Sequence, residues 1–257
     1  MASPLSASAF KQALIDEGCK VVTHTGWDTH NRGDRGDGWG PVHGVMNHHT
    51  VSNGEQKTFD IVWNGYAGLP GPLCHVMIAK NGNVHLVGYG RANHAGLGDD
   101  DVLAAMIAGR DYPIDNEANT DGNARFYGGE YENMGDGRDP WPAAQLDAII
   151  KFNAAVIRAH RKKGDNWQAD DSILGHLEWQ PGKSDPRGFS MDWLRDEVHK
   201  RLQTTPGVTK LFHTVVEGDT MWAIARKYKK TVAALMKLNP SIHDADEILP
   251  GQKVRYK

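Results

Sequence analysis

Five short runs constrain the fold of this 257-residue chain more than anything else in it. KVVTHT, HGVMNHHT, CHVMIAK, NVHLVGYG and FYGGEYEN are rich in β-branched and aromatic residues and are separated by Gly/Asn/Asp-rich loops. Such runs read as strands. From Pro142 to His160, Leu146, Ile149, Ile150, Val156 and Ile157 recur at the spacing of one helix face. A second helix is expected from Met191 to Leu202, with Trp193, Leu194 and Val198 inward. Phe10, Leu14 and Ile15 mark an amphipathic first helix. Strands interleaved with helices imply an α/β fold, a mixed central sheet flanked by helices.

The pattern stops at QTTPGVTK, whose Pro-Gly pair and missing apolar periodicity signal a linker over 203–210. It divides a body, 1–202, from a tail, 211–257. Residues 1–210 carry 21 Lys+Arg against 27 Asp+Glu, a formal −6, whereas 211–257 carry 8 against 5, a formal +3. A small basic module on an acidic body suggests a tether for a polymer or an anionic surface. No apolar run approaches a bilayer span, so membrane insertion is not expected. The start, MASPLSASAFKQALIDEGC, lacks the basic and apolar regions of a signal peptide. Cys19 and Cys74 are too few for a disulfide framework and read as small buried hydrophobes. Tandem RGD triplets at 32–34 and 35–37 read as a solvated loop, not as an integrin ligand.

Histidine placement raises a metal question. His48 and His49 end an apolar run, and period-two alternation sends them to opposite faces, so one can enter a cleft while the other packs. Downstream, GHLEWQPGKSDP (175–186) looks like a polar turn but holds His176, Lys183 and Asp185. Two neutral imidazoles and a carboxylate suit Zn²⁺ and leave a fourth position open. Periodicity does not bring these residues together, and a lone strand histidine is more often structural.

GVMNHHT, CHVMIAKNGNV, GRANHAG, YGGEYEN and GHLEWQPGKSDP, in that order, resemble the zinc-dependent N-acetylmuramoyl-L-alanine amidases of the amidase-2 class. That class includes peptidoglycan recognition proteins, and the similarity is greatest to phage endolysins. The resemblance implies Zn²⁺ held by His48, His176 and Asp185, with Lys183 as the family lysine. Many relatives have PGRKTDP where this chain has PGKSDP, one residue shorter between histidine and aspartate. The K-x-D spacing is intact, so a tighter turn is expected rather than a lost ligand. Cys74 stands where some relatives carry a tyrosine base. The expected replacement is Glu130, aligned with the glutamate of relatives lacking that tyrosine, with Glu132 in reserve. Both would share one strand face while Tyr131 takes the other. His94 resembles a cleft-wall histidine expected to touch substrate, although a structural role competes. Glu178 and Trp179 are expected to support His176 or line the groove, and His75 reads equally as core. His24, His30, His43 and His85 read as loop or strand-face residues.

The tail reads strand, GDT, helix, helix, LNP, strand. Asp219 or Thr220 would cap a helix carrying Met221, Trp222, Ile224, Ala225 and Tyr228, and Thr231 would begin a second with Val232, Leu235, Met236 and Leu238. This βααβ order with V-x-x-GDT, LNP and LPGQ-x-V resembles a LysM domain, which binds N-acetylglucosamine-containing glycans. The resemblance places a sugar groove at Gly218, Asp219, Thr220, Asn239, Pro240 and Ile242, with Trp222 and Leu235 mainly in the core.

Together the resemblances imply a peptidoglycan hydrolase, an endolysin that cuts the amide between N-acetylmuramic acid and L-alanine by zinc-activated water. The implied partner is peptidoglycan, with no nucleic acid. Synthesis in the host cytoplasm and export through a holin to the cell wall are expected. A non-catalytic peptidoglycan-binding protein and a zinc peptidase cutting the stem peptide are the alternatives.

Overall fold

The computed structural model describes residues 2–33, 38–206 and 212–256. Residues 34–37, which include the second RGD triplet, and 207–211, which include half of the expected linker and Leu211, lie outside the described residues. The chain divides into two compact units, Met1–Pro206 and Gly207–Lys257.

All five expected runs form strands of one six-stranded sheet. They are β1 (Lys20–Val22), β2 (Gly44–His49), β3 (Val76–Ile78), β4 (Asn83–Leu86) and β5 (Phe126–Tyr131). The sixth strand, β6 (Ile173–Gly175), is only three residues long and follows no sequence signal. The order is β1-β4-β3-β5-β2-β6, parallel except for the β3/β4 hairpin pair.

Helices α1 (Ala7–Glu17), α2 (Glu55–Asn64), α3 (Asp100–Ala108), α4 (Ala143–Lys162) and α5 (Met191–Leu202) surround this sheet. Each expected helix is present, while α2 and α3 were not expected. The main core fills the space between α1, α4 and α5 and one sheet face; it holds Phe10, Leu14, Val45, Val76, Tyr127, Ile149, Phe152, Val156, Leu194 and Val198. Phe10 stacks on Tyr127, ring centroids 5.5 Å apart, which anchors α1. Ile15, expected inward, is 46% exposed. It lies one residue past Leu14, about 100° round the helix and off the buried stripe. Cys74 is fully buried, and burial pushes the half-buried Cys19 thiol up to about 12.

The two glycines of FYGGEYEN each serve one sheet face. A Cβ on Gly128 would come within 2.6 Å of His94 Nδ1, and one on Gly129 within 2.6 Å of Phe152. Neither position has room for a side chain, so His94 can cross the sheet on one face while Phe152 packs on the other.

In the second unit, β7 (Phe212–Thr214) pairs antiparallel with β8 (Lys253–Arg255), and α6 (Met221–Lys227) and α7 (Val232–Leu238) lie between them in sequence. The βααβ order is the expected one. Thr220 caps α6 by accepting from Ala223 N–H at 3.1 Å, and Thr231 caps α7 through Ala234 N–H at 3.2 Å. Met221, Ile224, Ala225 and Leu235 are buried. Trp222, expected mainly in the core, is instead 62% exposed. The inward stripe is set by Met221, Ile224, Ala225 and Tyr228, and Trp222 falls off it; Arg226, one turn on, lies 5.4 Å over its ring.

Candidate metal centre

The carboxyl ends of β2, β5 and β6 meet at one place on the sheet face opposite the main core. His48 is next to last in β2, Glu130 pairs with it in register on β5, and His176 follows β6 directly. Sheet topology thus brings together residues 128 apart in sequence. Ligand sites at the carboxyl ends of parallel strands are the general expectation for such sheets.

His48 Nδ1, His176 Nδ1 and Asp185 Oδ2 form a near-equilateral triangle. His48 lies 2.9 Å and His176 3.1 Å from the carboxylate oxygen, and the two nitrogens are 3.0 Å apart. Among the described residues, these form the only group of three such donors close enough to hold an ion. Donors ~2.0 Å from a tetrahedral zinc lie about 3.3 Å apart, so the triangle needs to open by only a few tenths of an ångström. The donor set is borderline-soft nitrogen plus carboxylate, which zinc accepts. A His/His/Asp cluster compatible with a metal ion is therefore present.

The electrostatics keep His48 and Asp185 in ligand form. Burial holds the His48 imidazole down at about 4, against the pull of Asp185. Burial opposes charge on Asp185, but hydrogen bonds with His176 and His48 overcome it and keep the carboxyl below its usual range. The far nitrogens are oriented too: His48 Nε2 lies 3.2 Å from His94 Nδ1, and His176 Nε2 lies 3.2 Å from Gln180 Oε1. Partners of this kind fix ring orientation and tautomer in metal sites. Gln180 escaped the sequence reading; its only signal was an amide four residues after a candidate ligand.

The shortened loop closes. Leu177 N–H donates to Asp185 O at 2.8 Å, and Lys183 N–H to Gln180 O at 3.1 Å, so the carboxylate returns beside the histidine nine residues before it.

These residues line a cleft of ≈ 480 Å³ together with His49, Glu130, Lys183 and an apolar wall. The wall comes from Ile61 and Val62 of α2 and from Tyr66 and Leu69 of a short hairpin, 65–70. Lys183 is exposed at the cleft. Glu130 projects into it with Oε2 buried and unpartnered among the described residues. Burial, then the charge of Asp185, push the Glu130 carboxyl well above the usual carboxylate range, and Lys183 pulls the other way. Glu132 is elsewhere: its two oxygens accept from Gly54 N–H at 2.7 Å and Lys80 N–H at 2.9 Å, and it tethers loops. His94 lines the cleft and is nearly buried, and burial with its histidine neighbours holds its pKa well down. His49 borders the cleft, with Nδ1 accepting from Arg187 N–H at 3.1 Å.

Other expected residues fall outside the cleft. His75 is a backbone clamp, bonded to Gly128 N–H at 2.8 Å and Gly90 O at 2.8 Å. Glu178 supports the strand before His176 by accepting from Gly175 N–H at 3.0 Å while Arg195 holds it at 2.6 Å. Trp179 is core rather than groove, fully buried with its indole N–H on Ala95 O at 3.0 Å. His24 and His85 are not independent, since they lie 2.9 Å apart and His85 reaches Glu55 at 2.7 Å.

In the second unit, Gly218, Asp219, Thr220 and Pro240 are at least partly accessible. The structure corrects the expected groove at Asn239 and Ile242. Asn239 is spent on Leu235 O, Arg255 O and Arg255 N–H at 2.7–2.8 Å, and Ile242 belongs to the core. Neither side chain is free to meet a sugar.

His43, His48 and His75 all have pKa values lowered to about 4, chiefly by burial, from an ordinary 6.5. Between these values an unfolded chain takes up protons that the folded chain refuses, so stability falls on acidification. Melting temperatures of chelated protein should hold above about pH 6.5 and drop steadily towards pH 4. A flat profile across that window would contradict the buried neutral state of these histidines.

A family profile described as N-acetylmuramoyl-L-alanine amidase matches residues 38–188, and a LysM domain profile matches 213–256. An endolysin of Bacillus phage B103 is 43% identical over 53 residues, 21% of this chain and 20% of that protein. A chlorophenol reductase of Desulfitobacterium hafniense is 50% identical over 46 residues, 18% of this chain and 14% of that protein. The chain thus spans a fifth or less of the length of these curated relatives. Among solved structures, the endolysin N-acetylmuramoyl-L-alanine amidase LysCS from Clostridium intestinale URNW superposes with a TM-score of 0.43 at 16% identity, over 70% of this chain and 95% of that one.

Proposed function

Because the chain belongs to the N-acetylmuramoyl-L-alanine amidase family, we propose that it is a zinc-dependent peptidoglycan hydrolase. Its reaction is cleavage of the amide between the lactyl group of N-acetylmuramic acid and the first L-alanine of the stem peptide. One observation carries this reading: His48, His176 and Asp185 converge to within 3.1 Å of one another in a cleft shared with Glu130, whose Oε2 has no partner among the described residues.

His48, His176 and Asp185 would hold the ion, with His94 and Gln180 orienting the two imidazoles. When bound, zinc brings the pKa of a water molecule towards ~7 and polarises the scissile carbonyl. Glu130 is the group assigned to move the proton, from that water and then to the leaving amine. Burial, then the charge of Asp185, disfavour the Glu130 carboxylate, and an ion held by Asp185 would offset that repulsion. The Lys183 ammonium, exposed at the cleft, is assigned to stabilise the oxyanion that develops on the carbonyl. Cys74, a buried thiol held well above its usual pKa, cannot replace the tyrosine base of some relatives.

The second unit is assigned to glycan, through Gly218, Asp219, Thr220 and Pro240. Removing residues 207–257 should weaken pelleting with insoluble peptidoglycan at least ~10-fold while hydrolysis of soluble muramyl peptides persists; equal pelleting would remove this role. Access to the wall from the host cytoplasm through a holin rests on the resemblance to phage endolysins. Among the described residues, no helix is long and apolar enough to cross a membrane.

The test is digestion of purified peptidoglycan with and without chelator, with released ends identified by mass spectrometry. Chelator-sensitive release of L-alanine amines paired with intact lactyl carboxylates is expected. New amines only within the stem peptide would point to a peptidase, and no cleavage by folded, zinc-loaded protein would leave a binding protein.

A further inference from the structure

Behind the cleft, on the opposite face of the sheet, lies a polar cluster that the proposed chemistry does not use. Asn47, Asn153 and Tyr131 are all fully buried. Asn47 precedes His48 on β2 and points to the other face. Its amide N–H groups donate to Leu174 O of β6 at 3.1 Å, Val45 O at 3.2 Å and Asn153 Oδ1 at 3.3 Å. Its Oδ1 accepts from Asn153 Nδ2 at 2.9 Å and from the Tyr131 hydroxyl. Asn153 donates in addition to Ile149 O of its own helix at 3.0 Å.

Stability alone does not account for three polar side chains here. A buried hydrogen bond nets little stability, and apolar side chains of the same shape can do as well. What such a network adds is direction, because each partner has a fixed place. Direction matters at this point in the sheet. β6 is an edge strand of three residues with β2 as its sole sheet neighbour, and the candidate ligand His176 follows it at once. A slip of β6 by one residue would move His176 about 3.3 Å along the strand. Metal–donor distances hold to within about 0.2 Å of their ordinary values.

We propose that Asn47, Asn153 and Tyr131 form a positioning device, which locks β6 to β2 and so fixes the separation of His48 from His176 and the affinity of the site for zinc. This rests on the metal-binding reading above. Asn47 is the hub, and Tyr131 and Asn153 hold its amide in the orientation that reaches Leu174 O.

A pair of variants on one strand tests it. Tyr131 and Tyr127 lie four residues apart on the same face of β5, and each has a buried hydroxyl. That of Tyr127 accepts from Leu5 N–H at 2.8 Å and meets His160 Nε2 at 3.1 Å, outside the Asn47 cluster. Zinc affinity is measured by chelator competition on the full chain, and metal-free melting temperature alongside. Tyr131→Phe should bind zinc at least ~10-fold more weakly, the range for groups that orient ligands. Tyr127→Phe should lose comparable melting temperature yet keep its affinity within about twofold. Should Tyr131→Phe fail to fold, Asn153→Ala carries the same expectation. Unchanged affinity in the Tyr131 or Asn153 variant, or an equal loss in Tyr127→Phe, overturns the proposal while the metal site stands. A wild-type chain that binds no zinc overturns both.

Discussion

Alanine at His176 or at Asp185 is expected to abolish zinc retention and, with it, all hydrolysis. Each side chain supplies one corner of a triangle whose edges are 2.9–3.1 Å, and among the described residues no fourth His, Cys, Asp or Glu donor belongs to that group. His49 is turned away on Arg187 N–H, and His94 faces His48 Nε2 rather than its Nδ1. Two remaining ligands leave zinc below the three protein donors that catalytic sites use. Circular dichroism should show a folded chain in both cases, since Asp185 is partly accessible and the Leu177–Asp185 backbone bond survives. Metal analysis after gel filtration is the measurement. Stoichiometric zinc in both variants would remove the assignment.

Glu130→Gln should separate binding from chemistry. The substitution keeps shape and polarity but removes the group that takes and returns a proton, a loss of roughly 10²–10⁴-fold in turnover for general acid–base catalysis. Zinc should stay bound, because Glu130 is not a corner of the triangle. Melting temperature should hold or rise: the carboxyl is buried with Oε2 unpartnered and favours its neutral form, which an amide imitates. Glu132→Gln should act differently. Its oxygens hold Gly54 and Lys80 N–H, so the loss should appear in stability rather than turnover. An active Glu130→Gln enzyme beside a dead but folded Glu132→Gln one would reverse the two roles.

The sequence carried the sheet well because its strands have strong local signals. HGVMNHHT and FYGGEYEN are rich in apolar, β-branched or aromatic residues and are bounded by turn residues, and both form interior strands of the sheet. β6 gave no such signal, since three residues of ILG are too few for any period to show. α2 was also hidden: EQKTFDIVWN follows Gly54 without a side-chain cap and buries only Thr58, Phe59 and Val62. That omission concealed one wall of the cleft. The candidate ligands were visible as residue types, but their convergence depends on a parallel pairing of β2 with β6 that no local pattern encodes. The tail shows the opposite error. Asn239 sits in a recognisable LNP motif, yet its amide closes the module's own backbone, so the motif marks a structural clamp as much as a contact surface.

The bond from Leu177 N–H to Asp185 O has a consequence for how this site can vary. It ties the two ends of the loop together and, with Trp179 buried and Gln180 held on His176, leaves the exposed residues 181–184 as a lasso. Lengthening or shortening that lasso alters what stands at the mouth of the cleft, Gly182, Lys183 and Ser184, without requiring Asp185 to move. Selection can therefore retune which wall fragments enter by editing the tip, while the metal corner keeps its dimensions.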